Sequence, residues 1–265
     1  MNTPRATFDH WQSRLEAACH ASENFRHAFT LAETPSTQDA PQTRDARAGS
    51  VIATWRQTAG RGRFGRAWED TASAGVAATF VVHTQAAERL ALASAIAAAE
   101  TCEHALSNAG AITTVGIKWP NDIVVAGQKL AGVLIETREN RAFIGIGINV
   151  MQARFEGELE SRATSLSMLG SVIDRLDVLC VLLTSLDRAL GSSDETLIAA
   201  FLRRDALRGT RALFATPTGP VEGEVCSIDP MRGLVVRTDV GERFLPAHST
   251  SVAQWGGRVV RSLGT

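Results

Sequence analysis

A segment rich in glycine and arginine is the first part of the chain whose residue types and spacing could do chemistry. It reads Gly60-Arg61-Gly62-Arg63-Phe64-Gly65-Arg66. Glycine lets a backbone come close to a ligand, and arginine offers permanently charged paired donors that suit phosphate oxygens. Such a loop can order around an anion and shield a reactive intermediate from water. On its own, the same composition also fits a basic, solvated surface loop.

Two nucleotide-binding motifs are similar to this segment, but neither is satisfied. A dinucleotide-binding loop opens a helix and is followed by an acidic residue roughly 20 positions later. Residues 71–87 contain no Asp or Glu. A phosphate loop of the GxxxxGK[ST] type needs a lysine and then a hydroxyl for magnesium, whereas Arg66 and Ala67 stand at those places. The segment therefore predicts an anion-binding loop of another kind.

The family resemblance of the chain comes from several further segments that accompany this loop. Residues 118–122 read Lys-Trp-Pro-Asn-Asp, 129–136 read Lys-Leu-Ala-Gly-Val-Leu-Ile-Glu, and 144–150 read Ile-Gly-Ile-Gly-Ile-Asn-Val. Upstream lie Ser36-Thr37-Gln38 and, three residues before the loop, Gln57. In this order the set resembles the catalytic domain of biotin protein ligases. The resemblance is specific from about residue 34 to residue 150 and extends to the C-terminus as architecture only.

The resemblance implies a reaction in two steps with ATP and biotin as substrates and Mg²⁺ as the metal. The biotin carboxylate attacks the α-phosphate of ATP to give biotinyl-5′-AMP and pyrophosphate, and a lysine of the acceptor then attacks the mixed anhydride. The implied acceptor is a biotin carboxyl carrier protein, a subunit of acetyl-CoA carboxylase. No covalent enzyme intermediate is needed, so positioning and charge stabilisation are the expected work of the site.

The resemblance also assigns site residues. Lys129 and Arg63 are expected to be catalytic, with Lys129 at the carboxylate and the α-phosphate and Arg63 holding the intermediate. Residues expected to bind biotin are Ser36, Thr37, Gln57, Gly60, Arg61, Arg63, Lys129, Gly132, Gly145 and Gly147. Residues expected to bind ATP are Arg63, Arg66, Trp68, Lys118, Asn121, Lys129 and Asn149. No metal ligand is assigned; the nucleotide is expected to hold Mg²⁺, with Asn149 nearby.

Plainer interpretations of several residues stay open beside these roles. Trp119 is expected to be a core aromatic residue beside the turn that Pro120 fixes. Asp122 is expected to be a turn or ion-pair residue rather than a metal ligand, and Glu136 receives no role. Gly145 and Gly147 could instead serve a bulge or helix packing.

Two departures from the family pattern are visible in the sequence. The family usually shows Gly-x-Asn-Leu after the arginine loop, whereas this chain has Gly75-Val76-Ala77-Ala78, which puts one ligand-facing hydrogen bond at Ala77 in doubt. Phe64 takes a loop position that is often basic. Only about thirty residues precede Ser36, too few for the winged-helix module of repressor members, so no DNA binding is expected.

The elements that must position these residues follow from the hydrophobic pattern. Helices are predicted over 7–21, 86–108, 172–190 and 194–207, and residues 34–50 as a loop or a short helix. Strands are predicted over 51–54, 76–83, 114–118, 122–125, 131–136 and 142–150. This order predicts an α+β fold with a mixed or antiparallel sheet, which the resemblance makes similar to class II synthetases. Strands over 221–225, 233–238 and 242–246 predict a small SH3-like C-terminal barrel, giving domains 1–209 and 210–265.

Bulk properties exclude several classes of protein. The formal net charge of −1 provides no overall attraction to nucleic acid or anionic membranes. The N-terminal residues show no signal-peptide pattern, and no apolar run approaches the roughly 20 residues of a membrane helix. Four scattered cysteines are typical of reduced core thiols. We therefore expect a cytoplasmic protein that binds no membrane. Family members often pair edge strands, so a homodimer is an open expectation.

Two alternative functions remain at this stage. A lipoate or octanoate protein ligase or transferase shares the fold, although lipoate lacks a ureido ring. A non-catalytic module could bind an acidic partner or nucleic acid through the three loop arginines. Pyrophosphate release with either acid separates the three.

Overall fold

A seven-stranded mixed sheet forms the centre of the molecule. The structure is a computed structural model and describes residues 7–69, 73–107, 113–256 and 258–259. Its strands are β1 His27–Thr34, β2 Ser50–Gln57, β5 Gly75–His83, β6 Val115–Lys118, β7 Asp122–Val125, β8 Gln128–Arg138 and β9 Arg141–Asn149. The strand order is β1-β2-β5-β9-β8-β7-β6, with β1 and β2 parallel and every other neighbouring pair antiparallel. The predicted α+β class with a mixed sheet is confirmed.

Helices cover one face of this sheet. They are α1 Trp11–His20, α3 Ala87–Ser107, α4 Arg175–Gly191 and α5 Asp194–Leu202. The short α2 Pro41–Asp45 leads into Ala46, which packs in a separate apolar cluster on the other face of the sheet. The alanine-rich α3 packs against β8 and β9, and α4 packs against α3 and β5. Asp174 caps α4 by accepting a hydrogen bond from the backbone N–H of Leu176, and Ser193 caps α5 in the same way from Thr196.

Strand β9 shows how the sequence divides the two faces of the sheet. Successive side chains in a strand point to opposite faces. Ile144, Ile146 and Ile148 belong to the buried core. Gly145 and Gly147 alternate with them and line a cavity on the other face. The alternation of isoleucine and glycine therefore builds a packed face and an open face with one strand.

Several predicted boundaries differ from the structure. Strand β1 was not predicted, because it lies at the sheet edge and leaves Phe29 41% exposed, so its hydrophobic pattern is weak. The last predicted helix ends at Leu202 rather than at residue 207. The backbone after it turns and pairs with Ile117 of β6, which accepts from Ala206 and donates to Arg204. The short helix predicted within 34–50 is present as α2.

A second, six-stranded antiparallel sheet follows from residue 211. Its strands are β10 Arg211–Thr216, β11 Gly219–Asp229, β12 Gly233–Thr238, β13 Gly241–Pro246, β14 Ser251–Trp255 and β15 Arg258–Val259. Their order is β13-β12-β11-β10-β14-β15, and in the part of the chain that the structure describes no ladder joins β13 to β15, so the predicted barrel is not closed. Trp119 is fully buried and donates from its indole Nε1 to the carbonyl of Pro230, which links the two sheets. The proposed division at residue 209 stays a prediction.

None of the helices in the described ranges combines the length and the apolar character that a bilayer crossing requires.

Candidate active site

A cavity of about 450 Å³ lies on the open face of the main sheet. Segments far apart in the sequence meet there, including 36–38, 57–69, 118–134, 145–149 and 155–163, together with part of β14. Every residue that the sequence predicts for the site lines this cavity except Gly60. The structure thus brings the predicted set together, while the individual roles stay predictions.

The arginine-rich loop forms a small hairpin over the cavity. Its strands are β3 Gly60–Arg61 and β4 Ala67–Trp68, and a tight turn in which Phe64 adopts a positive φ of 57° connects them. A Cβ at Gly60 would lie 2.3 Å from Nε2 of Gln57 and 2.5 Å from the carbonyl of Trp68. Gly60 is therefore needed for close packing at the base of the hairpin. The expectation that this loop orders around an anion stays a prediction.

The strand glycines make room for side chains of the protein itself. A Cβ at Gly147 would lie 2.4 Å from the Trp68 indole, and one at Gly132 would lie 3.3 Å from it. A Cβ at Gly145 would meet the side chain of Gln38 at 3.2 Å. These three glycines were predicted to bind biotin, and that role stays a prediction. In this conformation the Trp68 indole lies over Gly132 and Gly147 and forms a wall of the cavity.

Arg61 fastens the hairpin to the body of the protein. Its guanidinium donates to both oxygens of Asp39 at 2.8 and 2.9 Å and to both oxygens of Glu136 at 2.9 and 3.2 Å. The hydrogen bonds with Glu136, and then those with Asp39, raise the pKa of Arg61 against the opposing effect of burial. Two carboxylates already pair with this guanidinium. If Arg61 contributes to biotin binding, as the sequence predicts, it does so while it is bound to Asp39 and Glu136.

Arg63 and Arg66 face the cavity with fewer partners. Arg63 donates from Nη1 to Oδ1 of Asn121 at 3.3 Å. Burial lowers the pKa of Arg63, the negative charge of Asp122 opposes this shift, and the positive charge of Arg66 adds to it. Nε of Arg66 is buried without a hydrogen-bond acceptor within the described ranges. Both guanidiniums therefore keep donors for an anion.

Asp122 lies between the two lysines of the site. Nζ of Lys118 is 3.0 Å from one carboxylate oxygen of Asp122, and Nζ of Lys129 is 2.6 Å from the other. Burial by itself would raise the pKa of Asp122, but the charges and hydrogen bonds of Lys129 and Lys118 outweigh it and hold the pKa well below its usual range. The prediction that Asp122 is an ion-pair residue is confirmed.

A β-bulge explains why Lys129 points into this cluster. Ile123 pairs with Ala131 and Val124 with Lys129, so Leu130 is an extra residue on β8. A bulge shifts the alternation of side chains by one position. Lys129 and Gly132, three residues apart, consequently share the cavity face, where the lysine ammonium lies 5.4 Å from the centroid of the Trp68 ring.

Lysine is rare in this chain, and its location is informative. Only Lys118 and Lys129 among the 27 lysine and arginine residues are lysines. Both lie in the cavity, at a single carboxylate. An ammonium is a compact point charge, whereas a guanidinium is a wide planar fork. The chain uses arginine at every other basic position and has the compact ammonium only at this carboxylate.

The other end of the cavity is neutral. Oε1 of Gln57 accepts from the backbone N–H of Thr37 at 2.9 Å, and the Thr79 hydroxyl donates to the Thr37 hydroxyl at 2.9 Å. Oγ of Ser36 accepts from the backbone N–H of Gln38 at 3.3 Å. These side chains are buried and carry no charge. The cavity therefore has a hydrogen-bonding end for an uncharged polar group and a cationic end for an anion.

Two asparagines predicted at the nucleotide also hold the local structure. Nδ2 of Asn121 donates to the carbonyl of Val133. Nδ2 of Asn149 donates to the carbonyls of Thr164 at 3.0 Å and of Lys129 at 3.4 Å. Asn149 is buried. It thus positions Lys129 through the backbone, and its place beside a magnesium ion stays a prediction.

Several residues that line the cavity belong to no recognisable sequence motif. Phe155 and Leu159 supply apolar surface from the loop after β9, and Arg162 lies beside them. Trp255 and Val252 come from the C-terminal sheet, more than a hundred residues from Lys129 in the chain. The only sequence signal for Phe155 and Leu159 is that they are large apolar residues in a polar stretch. Glu136, which receives no role from the sequence, proves to bind Arg61.

Comparison with known proteins identifies relatives of this architecture. The model of the biotin/lipoate A/B protein ligase family matches residues 31–151. The biotin–[acetyl-CoA-carboxylase] ligase of Mycobacterium tuberculosis is 33% identical over 237 residues, which are 84% of this chain and 87% of the relative. The enzyme of that name from Paracoccus denitrificans is 31% identical over 233 residues, covering 82% of this chain and 97% of the relative.

A solved structure agrees with these sequence relatives. The biotin protein ligase from Aquifex aeolicus in complex with biotin and ATP superimposes with a TM-score of 0.76 at 25% identity, covering 87% of this chain and all of that chain. The family resemblance predicted from the loop and its companion motifs is thereby confirmed. With the cavity, the matching family model and relatives above 30% identity, the chain belongs to the biotin protein ligases of the biotin/lipoate A/B protein ligase family.

Proposed function

We propose that this protein is an ATP-dependent biotin–[acetyl-CoA-carboxylase] ligase. The observation that carries the proposal is the division of one cavity into a neutral end at Thr37 and Gln57 and a cationic end at Lys118, Lys129 and Arg63. A ligand with an uncharged polar head, a carboxylate and a neighbouring polyphosphate suits this arrangement. Biotin and ATP together are such a ligand, and the named relatives support the choice.

The neutral end would hold the ureido ring of biotin. That ring has two N–H donors and one carbonyl acceptor. Ser36, Thr37 and Gln57 offer hydroxyl and amide groups that can both donate and accept. The Thr79 hydroxyl donates to the Thr37 hydroxyl, and the backbone N–H of Thr37 donates to Oε1 of Gln57, so little side-chain freedom is lost on binding.

The cationic end would bring two anions together. In the first step a carboxylate oxygen of biotin forms a bond to the α-phosphorus of ATP, and the bond from that phosphorus to the bridging oxygen breaks, releasing pyrophosphate. The repulsion between carboxylate and phosphate opposes this approach, and fixed positive charge in a partly buried site offsets it. Lys129 and Lys118, oriented by Asp122, and the arginines Arg63 and Arg66 supply that charge.

The second step transfers the acyl group. The amine of the acceptor lysine bonds to the biotinyl carbonyl carbon, the bond to the phosphate oxygen breaks, AMP leaves, and the amine gives up a proton. Water would attack the same carbon, so the intermediate must be covered until the acceptor arrives. The hairpin 60–68, tied down by Arg61, is the element of this chain placed to cover it.

Magnesium would be held mainly by the nucleotide phosphates. The described ranges contain no group of three or more His, Cys, Asp or Glu side chains placed to hold a metal. Both oxygens of Asp122 contact lysine, and the amide of Asn149 is bound to carbonyls of the chain. The residues do not offer a ligand set of their own. Magnesium usually binds through phosphates and few protein ligands, so the steps above use only the side chains.

A carrier protein with a biotin-accepting lysine is the partner that the family implies. We infer that the acceptor is the biotin carboxyl carrier subunit of acetyl-CoA carboxylase, after the names of the relatives. Formation of a homodimer through edge strands and the expected lack of DNA binding stay proposals. Sedimentation with and without biotin and ATP tests the first, and binding to labelled duplex DNA tests the second.

Pyrophosphate release tests the activity itself. The full chain is incubated with ATP and Mg²⁺ and with either biotin or lipoate, and the acyl-adenylate is identified by mass spectrometry. We expect release and a biotinyl-adenylate with biotin only. Turnover with lipoate alone would indicate a lipoate ligase, and turnover with neither acid would indicate the non-catalytic module.

The Arg63→Ala variant should release the adenylate before transfer. Arg63 lies at the cavity with donors left for an anion, so its loss should remove a contact to the intermediate. We expect free biotinyl-AMP in solution to accumulate about tenfold faster, which corresponds to about 1.4 kcal/mol. Filtration of the reaction mixture separates free from bound adenylate. Arg56→Ala, which removes an exposed arginine paired with Glu33, is the control, and retention by Arg63→Ala equal to that of the control contradicts the role.

The Gly147→Ala variant should weaken binding of biotin. The new methyl group would overlap the Trp68 indole, a rigid ring that cannot bend away as a flexible chain would. Trp68 must then shift into the cavity or lift the hairpin. We expect a dissociation constant for biotin about tenfold higher, measured by titration calorimetry. Gly191→Ala is the matched control, since its Cβ meets nothing within 4 Å; equal affinity in both variants contradicts the prediction.

A further inference from the structure

A buried arginine outside the cavity contacts both ends of the connection that carries the hairpin. Arg175 is the first residue of α4 and only 3% exposed, and it is not part of the cavity lining. A buried guanidinium is costly unless its donors are satisfied and its charge is compensated. The groups that the Arg175 guanidinium binds therefore indicate its structural role.

Arg175 bridges two strands where their own pairing stops. The ladder between β2 and β5 runs from the pair Ser50–Val81 to the pair Thr54–Ala77. Beyond this ladder the two strands separate, and the connection between them contains the hairpin 60–68. Nη2 of Arg175 donates to the carbonyl of Trp55 at 2.6 Å, and Nε donates to the carbonyl of Gly75 at 2.7 Å. One side chain thus joins the two strands just after their last pair.

Two indole rings hold this guanidinium in place. Its central carbon lies 4.8 Å from the ring centroid of Trp55 and 5.0 Å from that of Trp11. The two rings are 5.4 Å apart and meet edge to face. Cation–π contacts with desolvated rings are stabilising and fix the plane of the fork. A lysine would keep the charge but could not match two carbonyls and two rings at once.

We propose that Arg175 is a positioning residue for the hairpin 60–68. By joining Trp55 to Gly75 it fixes the points at which the connection leaves and re-enters the sheet. Gln57 lies two residues after the first point and Ala77 two residues after the second, and both line the cavity. Arg175 therefore acts on the neutral end of the site and on the cover above it without touching either. Its effect on the adenylate rests on the proposed function, whereas its effect on the hairpin does not.

Hydrogen exchange and adenylate release test this role on the full chain. The variants are Arg175→Lys and the second replacement Arg175→Gln. Arg89→Lys is the matched control, because Arg89 also donates to two backbone carbonyls, those of Leu190 and Ser192, but far from the hairpin. Amide exchange is followed by mass spectrometry in peptides covering residues 58–69. Release of biotinyl-AMP is measured by filtration, and thermal unfolding is recorded for each variant.

We expect exchange in 58–69 to be at least fivefold faster and adenylate release about tenfold faster in the Arg175 variants. The control should lower the unfolding temperature while leaving both rates at the wild-type value. Wild-type rates in both Arg175 variants would overturn the proposal, whatever their stability. Equal acceleration in Arg89→Lys would also overturn it, because general destabilisation would then suffice. If the wild type makes no adenylate, the proposed function fails, and the exchange measurement still decides the role of Arg175.

Discussion

Replacing Lys129 by alanine is expected to slow formation of the adenylate about 100-fold, a loss of about 2.7 kcal/mol of transition-state stabilisation. Lys129 combines three features of a group that acts on the reacting atoms. Its ammonium is 2.6 Å from Asp122, it lies beside the Trp68 ring, and it shares the cavity face with Gly132 because of the bulge in β8. A single-turnover measurement of pyrophosphate release reports the step directly.

Two further variants separate the charge of Lys129 from its shape. Arg154→Ala removes an exposed positive charge outside the cavity lining and should leave the rate unchanged. Lys129→Arg keeps the charge but places a wide fork where the lysine tip already lies 3.0 Å from the Cβ position of Gly132. We expect it to restore less than a tenth of the lost rate. A wild-type rate in Lys129→Ala would mean that Lys129 is a bystander.

The strands around the site were predictable because they pair with near neighbours in sequence. The hairpins β7–β8 and β8–β9 have local turns, at Ala126 and Glu139, where positive φ values of 48° and 55° reverse the chain. Strand β1 was missed because its one partner is β2 and its side chains are partly exposed. Closure of the C-terminal sheet depends on pairing between its first and last edges, which no local pattern encodes. The predicted closure of this sheet into a barrel was therefore wrong, whereas its antiparallel strands are present.

The site was predictable as a set of residues but not as a network. The motif order placed Arg63, Lys129 and Gln57 together because a known family arranges them so. The ion pair between Arg61 and Glu136 joins residues 75 positions apart, and no spacing rule connects them. The position of Trp68 over Gly132 and Gly147 is also tertiary, since it brings the hairpin against glycines of two later strands.

Replacing Asp122 by asparagine should lower both stability and activity. The change keeps the shape but removes the carboxylate that lies 3.0 Å from Lys118 and 2.6 Å from Lys129. Removing one partner of a buried ion pair lowers the free energy of unfolding by about 3–5 kcal/mol, because the remaining charge is left uncompensated. We expect a loss near 3 kcal/mol in urea unfolding, since 15% of the Asp122 side chain and 38% of Lys129 still contact solvent. Adenylation should slow about 100-fold as both ammonium groups lose their orientation.

A distant carboxylate provides the control for Asp122. Burial by itself would raise the pKa of Asp187, but hydrogen bonds from the Ser22 hydroxyl and from the backbone and side chain of Asn24 lower it. Asp187→Asn should therefore reduce stability and leave the adenylation rate intact. Comparable activity in the two variants would show that the lysine orientation by Asp122 does not matter for the reaction.

The pH dependence gives Asp122 a second, independent signature. Its pKa in the folded protein is held well below the ordinary value of about 3.9 in the unfolded chain. A depressed carboxyl pKa contributes stability that is complete above the unfolded pKa and is lost as the pH falls towards the folded pKa. The difference in unfolding free energy between wild type and Asp122→Asn should thus be constant from about pH 8 to pH 5 and shrink below about pH 4. Urea titrations across this range measure it. A difference that already declines between pH 7 and pH 5 would show that the two lysines do not hold the carboxylate ionised.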